Sequence, residues 1–191
     1  MDMTHDTQAK TLFGFWTYVM TDCILFATLF ATYAVLHNGS FKDPGFEKLF
    51  SYPSLLVETL CLLGSSFTCG LAMMRPQTEH KHRALFWFFI TFLLGASFIF
   101  IEVSEFAHFA REGYGWQRNA ITTSFCALVG THGLHVSLGL FWMLFFMVEL
   151  WKEGFTPLIL KRLLCFKIFW HFLDLIWIFI FTFVYLLEAV K

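Results

Sequence analysis

The stretch Cys126–Trp142 reads C-A-L-V-G-T-H-G-L-H-V-S-L-G-L-F-W. It lies inside an apolar run from Ala120 to Val148, longer than the roughly 20 residues a helix needs to cross a bilayer. His132 and His135 stand three positions apart, so a helix places them on one face, about one turn apart. Gly130, Gly133 and Ser137 surround them, and the Gly133-xxx-Ser137 spacing of small residues lets another helix approach closely. Polar side chains are costly in hydrocarbon and normally face protein or a wet cavity. This helix therefore needs neighbours, and the rest of the chain must supply them.

Composition agrees. Of 191 residues, 58% are hydrophobic and 27 are Phe, against about 45–50% apolar content in soluble domains. A soluble chain of this length could not bury so much aromatic surface, so an integral membrane protein is implied. The net charge of -1 gives no reason to invoke nucleic acid. The five cysteines, Cys23, Cys61, Cys69, Cys126 and Cys165, sit in apolar runs without a C-x-x-C. They read as buried thiols rather than disulfides or metal ligands. Asp2 and Asp6 precede a first apolar run too long for a signal peptide, which reads as a retained membrane helix.

The hydrophobic pattern predicts an all-α, polytopic membrane bundle forming one transmembrane domain over residues 1–191. Five spans are expected at about 12–36, 53–74, 84–109, 120–149 and 163–187. Asn38-Gly39 and Pro44-Gly45 mark a first link, and Pro53 suits the opening of the second span. Arg75-Pro76 stops that span, Gly113 and Gly115 punctuate the third link, and Trp151–Arg162 reads as the last. Gly64, Ser65, Ser66 and Gly70 form a small-residue stripe suited to helix packing. The aromatic runs Phe86–Phe89 and Phe145-Phe146 read as lipid-facing or interface anchors. Five spans put the termini on opposite sides. Lys10, Arg75, Lys81, Arg83, Lys152, Lys161 and Arg162 outnumber Lys42, Lys48, Arg111, Arg118 and Lys191, seven against five. The excess places the N-terminus in the cytoplasm and the C-terminus in the periplasm.

Every span carries an ionisable residue away from its extreme ends: Asp22, Glu58, Glu102 with Glu105, His132 with His135, and His171 with Asp174. One in each helix implies an interior polar layer. Three kinds of work suit such a layer: metal or haem ligation, proton or ion conduction, and a structural role fixing helix register. Ligation is disfavoured, because no H-E-x-x-H, i, i+4 histidine pair or cysteine cluster is present. Conduction by this chain alone is disfavoured by the lack of repeats or matching broken helices. The residues alone favour the structural role and show no catalytic, cofactor-binding or metal-binding set. His171 and Asp174 are placed to hydrogen-bond along one face.

Four stretches carry a family resemblance: Gly14–Phe26, G-F-W-T-Y-V-M-T-D-C-I-L-F; Val57–Ser66, V-E-T-L-C-L-L-G-S-S; Glu102–Phe106, E-V-S-E-F; and the pair G-T-H-G-L-H-V and W-H-F-L-D-L-I-W on the last two spans. The chain resembles subunit III of the haem–copper terminal oxidases, most closely the five-helix form of bo-type quinol oxidases. Longer members of that family carry two further helices ahead of these five. The resemblance implies a non-catalytic subunit of the bacterial inner membrane, within a respiratory complex that oxidises quinol, reduces oxygen and pumps protons. It places the haems and copper in the large subunit I and none in this chain. It also implies structural phospholipid, contact with subunit I and other oxidase subunits, and support of proton uptake. Asp22, Glu58, Glu102, Glu105, His132, His135, His171 and Asp174 are the candidates for that support. The rival readings are subunit III of a cytochrome c oxidase and an autonomous haem- or ion-handling membrane protein.

Overall fold

A computed structural model describes residues 2–37, 52–73, 81–111 and 119–186 of the chain. They form five helices: α1 (Asp2–His37), α2 (Tyr52–Met73), α3 (Lys81–Arg111), α4 (Ala120–Glu153) and α5 (Pro157–Ile180). A π-helical stretch, Phe181–Leu186, continues α5. All five helices are long and apolar enough to cross a membrane, so the chain is an all-helical, multi-pass membrane protein. The expected turns at Asn38-Gly39 and Pro44-Gly45, the stop at Arg75-Pro76 and the glycines 113 and 115 lie outside the described residues.

The last link is much shorter than expected. Instead of residues 151–162, only residues 154–156 separate α4 from α5. Gly154 adopts φ 70°, the left-handed region that suits glycine, and its N–H donates to the Leu150 carbonyl at 3.1 Å. Thr156 then caps α5, accepting from the Ile159 N–H at 3.3 Å, and Pro157 occupies the first turn, where its missing N–H costs nothing. Gly-Phe-Thr-Pro is thus a stop followed at once by a start. Arg162 closes the corner from outside by donating to Glu149 at 2.6 Å.

Helices α4 and α5 form the centre of the bundle. Helix α1 packs against both; α3 packs on α4, α2 packs on α5, and α2 and α3 pack on each other. Glycines set the closest approaches. A Cβ on Gly139 of α4 would sit 2.9 Å from the Trp170 ring of α5, and one on Gly95 of α3 would sit 2.8 Å from Leu140 and 3.2 Å from Trp170. The Trp170 indole therefore fills a groove that α3 and α4 leave open by lacking side chains there. A Cβ on Gly133 would collide with the Glu102 carboxylate of α3. Ser137, expected to share that close approach, is exposed and donates to the Gly133 carbonyl of its own helix at 2.8 Å. A hydroxyl satisfied within its own turn needs no neighbouring helix.

Aromatic rings run through the core among aliphatic side chains. Phe98 meets Trp177 edge-on at 4.7 Å between ring centroids, and Phe166 stacks on Trp170 at 5.6 Å. The aromatic runs do not face lipid throughout. Phe86 and Phe89 are exposed, but Phe88 is buried, and Phe145 is exposed while Phe146 is buried. Consecutive helical residues turn by about 100°, so a run of aromatics must send one member inward.

Candidate functional site

The eight polar residues expected inside the bundle fall into separate groups. Asp22 of α1 faces His135 of α4; both are buried, with Asp22 Oδ2 3.9 Å from His135 Nε2. The other ring nitrogen, Nδ1, lies 2.7 Å from the Thr131 carbonyl. A carbonyl only accepts, so Nδ1 carries a hydrogen and Nε2 is the nitrogen turned towards Asp22. At 3.9 Å this is an electrostatic contact rather than a hydrogen bond. Tyr18 lies one turn earlier on α1, beside Asp22. The Phe26 ring covers the pair, 5.4 Å from the His135 ring.

His132 has a different environment although it shares the helix face. It is fully buried, and neither ring nitrogen has a hydrogen-bond partner. Its ring stacks on Trp177 at 5.3 Å and meets the edges of Phe98 and Phe26 at 5.9 and 6.3 Å. It is packed as an aromatic ring rather than as a polar group.

A third group lies on the seam between α2 and α5. The indole N–H of Trp177 donates to Thr59 at 3.1 Å, and that of Trp170 donates to the buried Ser65 at 3.2 Å. Ser66 Oγ lies 2.5 Å from His171 Nδ1. Asp174 Oδ2 is 3.7 Å from the same nitrogen, too far for a hydrogen bond. The pairing of His171 with Asp174 expected along α5 is therefore an electrostatic contact, and the short bond of His171 goes to α2. The stripe of small residues on α2 is a packing surface that also supplies hydroxyls to α5.

The fourth group is a set of carboxyls. Glu58 of α2 and Glu102 of α3 are buried, and Glu105 of α3 is half-buried. All three line one cavity, with Phe106, Phe109, Phe125, Val129 and Trp177 as its apolar walls. Ser54 stands beside Glu105 at the start of α2. The cluster lies towards the end of the bundle where α2 begins and α3 finishes, whereas Asp22, His135, Ser66 and His171 sit near the middle of their spans.

The residues not expected from sequence are Ser54, Thr59, Thr131 and the indoles of Trp170 and Trp177. One signal is present: Trp170 and Trp177 lie seven apart on α5, two turns on one face. Among the described residues, no group of three His, Cys, Asp or Glu is placed to hold a metal ion. The five cysteines are free, with Cys69 and Cys165 buried and the others half-buried.

Comparison with known proteins gives this arrangement a family. The chain is 50% identical over 188 residues to cytochrome bo(3) ubiquinol oxidase subunit 3 of Pseudomonas aeruginosa, covering 98% of this chain and 90% of that one. The subunit 3 of the same name from Buchnera aphidicola subsp. Baizongia pistaciae is 41% identical over 182 residues, 95% of this chain and 94% of that one. Quinol oxidase subunit 3 of Bacillus subtilis is 38% identical over 187 residues, 98% of this chain and 92% of that one. The family described as cytochrome c oxidase subunit III matches residues 2–189. With a match of that extent and relatives of that identity, the five-helix chain belongs to the cytochrome c oxidase subunit III family.

Proposed function

We propose that this chain is the non-catalytic subunit III of a proton-pumping bo-type ubiquinol oxidase in the bacterial inner membrane. The observation that carries the reading is the half-identity, over nearly the full length, to subunits named for ubiquinol oxidation. In this reading the haems and copper belong to the large subunit I. This chain steadies that subunit, holds phospholipid against its apolar faces and supports proton uptake through its buried polar groups. A bundle with α4 and α5 at its centre suits a scaffold. Its outer helix faces, such as Phe13, Ile24, Leu134 and Phe141, are exposed and apolar, suited to lipid or to another membrane subunit.

The test is purification through an affinity tag on this chain in mild detergent. The expected result is co-purification of a larger haem-bearing chain whose oxygen uptake is driven by ubiquinol and not by reduced cytochrome c. Uptake driven by cytochrome c makes the chain subunit III of a cytochrome c oxidase instead. A chain that purifies alone with its own haem band overturns the subunit reading altogether.

A further inference from the structure

The carboxyl cavity poses a problem in hydrogen-bond accounting. Glu58 is 1% exposed and Glu102 is 5% exposed. Glu58 Oε1, Glu102 Oε2 and Glu105 Oε1 are buried atoms without a hydrogen-bond partner, and all three residues line the same cavity. A buried carboxyl oxygen left unpaired is strongly disfavoured. Among the described residues, no neighbour lining the cavity meets these three. The Trp177 indole N–H, in the cavity wall, is already given to Thr59. Ser54 stands beside Glu105, yet Oε1 of Glu105 has no hydrogen-bond partner. The remaining walls, Phe106, Phe109, Phe125 and Val129, carry no polar side-chain atom. Two further titratable groups act on the cluster: Cys61 towards Glu58 on α2, and the exposed His108 towards Glu105 on α3. Among the described residues, no Lys or Arg lines the cavity.

The cavity measures about 10 Å³, on the order of what one water molecule needs, and a buried water wants two to four polar partners. Three unmet oxygens around one such space satisfy that requirement. The count also fixes a proton. A water has two hydrogens to donate, so it can meet two of the three oxygens as acceptors. The third must be the O–H of a protonated carboxyl, donating to the water's own lone pair. We propose that Glu58, Glu102 and Glu105 form a hydrated proton-holding site: one water bridges the three carboxyls, and at least one of them carries a proton that it shares with that water. The proposal rests on this cavity and not on the electron donor of the complex, so its failure leaves the subunit reading intact. Lying at one end of the bundle rather than at mid-depth, the site is distinct from the Asp22–His135 pair.

The test uses the whole purified membrane complex containing this subunit. Infrared spectra are recorded in H2O and D2O, in the carbonyl-stretch region of protonated carboxyls, for the native protein and for Glu58→Gln, Glu102→Gln and Glu105→Gln. The expected result is a deuterium-sensitive band that one variant abolishes and the other two displace, because the three groups share one water. A band insensitive to all three substitutions overturns the proposal. So does a set in which each variant removes its own band and leaves the rest in place. Where a variant fails to assemble, density in the native cavity decides. A peak within hydrogen-bond reach of the three named oxygens supports the site. An empty cavity, or stoichiometric divalent cation found there by elemental analysis, overturns it.

Discussion

At the scale of single residues, the bundle treats similar side chains in opposite ways. His132 and His135 lie one turn apart on one face, yet His135 has a carbonyl on one nitrogen and a carboxylate facing the other, while His132 has neither. A residue's role here is set by what the adjacent helix presents to it. The contact between Ser66 and His171 tests that view. The pair joins α2 to α5 at 2.5 Å, and it is half-buried, so either side chain left alone is partly screened from water. Ser66→Ala removes the short partner of Nδ1, and the cost expected for stranding it is about 1–3 kcal/mol. His171→Phe strands the Ser66 hydroxyl less severely, because a serine in a helix can turn to a carbonyl of its own preceding turn. The double variant should cost less than the two singles together, since neither partner is then stranded. Asp174→Leu should also depart from additivity with Ser66→Ala, because both residues meet the same Nδ1 of His171. The readout is the detergent concentration at which the subunit leaves the complex. Simple additivity of Ser66→Ala and His171→Phe would show that the bond across the seam contributes nothing.

At the scale of helices, glycine placement decides which surfaces meet. Gly139 and Gly130 both lie on α4, but only Gly139 has another helix against it. Ala at 139 would put a methyl 2.9 Å from Trp170 and 3.2 Å from Phe169, both rigid rings locked in the core. Overpacking of this kind costs about 1–3 kcal/mol. Ala at 130 meets nothing within 4 Å, so it should be neutral or stabilising by roughly 0.5–1 kcal/mol through helix propensity. Thermal unfolding of the two variants in the same detergent checks the contrast, and equal losses would contradict it. The same contrast marks where sequence reading stops. Hydrophobic runs reveal the helices and their polar members, because length and polarity are properties of one segment. Which glycine receives a neighbour depends on how each helix is rotated about its axis. Gly133-xxx-Ser137 accordingly identified one true contact, Gly133 with Glu102, and one exposed serine. The α4–α5 corner failed for another reason. Pro157 was read as part of a link, whereas a Thr before a Pro is equally a helix start. The Glu58–Glu102–Glu105 cavity was out of reach because its members come from two helices whose pairing no spacing specifies.

At the scale of the whole molecule, the odd number of spans governs how the carboxyl cavity and the Asp22–His135 pair relate to the two sides of the membrane. Five crossings put the termini on opposite sides. The seven basic residues grouped with the N-terminus against five on the other side favour a cytoplasmic N-terminus, which we propose as the direction. In that orientation the α4–α5 corner with Arg162 and Glu149 would be cytoplasmic, and the end of the bundle holding Glu58, Glu102 and Glu105 would be periplasmic. That placement matters for any proton traffic: the Asp22–His135 pair is then the deeper group, and the carboxyl cavity stands on the side away from cytoplasmic proton uptake. Orientation is measured with single cysteines, Thr4→Cys and Ala189→Cys, in a background whose five native cysteines are replaced. An impermeant thiol reagent is applied to intact cells with a permeabilised outer membrane. Labelling is expected at position 189 and not at position 4. The opposite pattern reverses the bundle, puts the carboxyl cavity on the cytoplasmic side, and makes it, rather than the Asp22–His135 pair, the group nearest to proton entry. Labelling at both positions rules out an odd number of crossings and so contradicts the five-span arrangement itself.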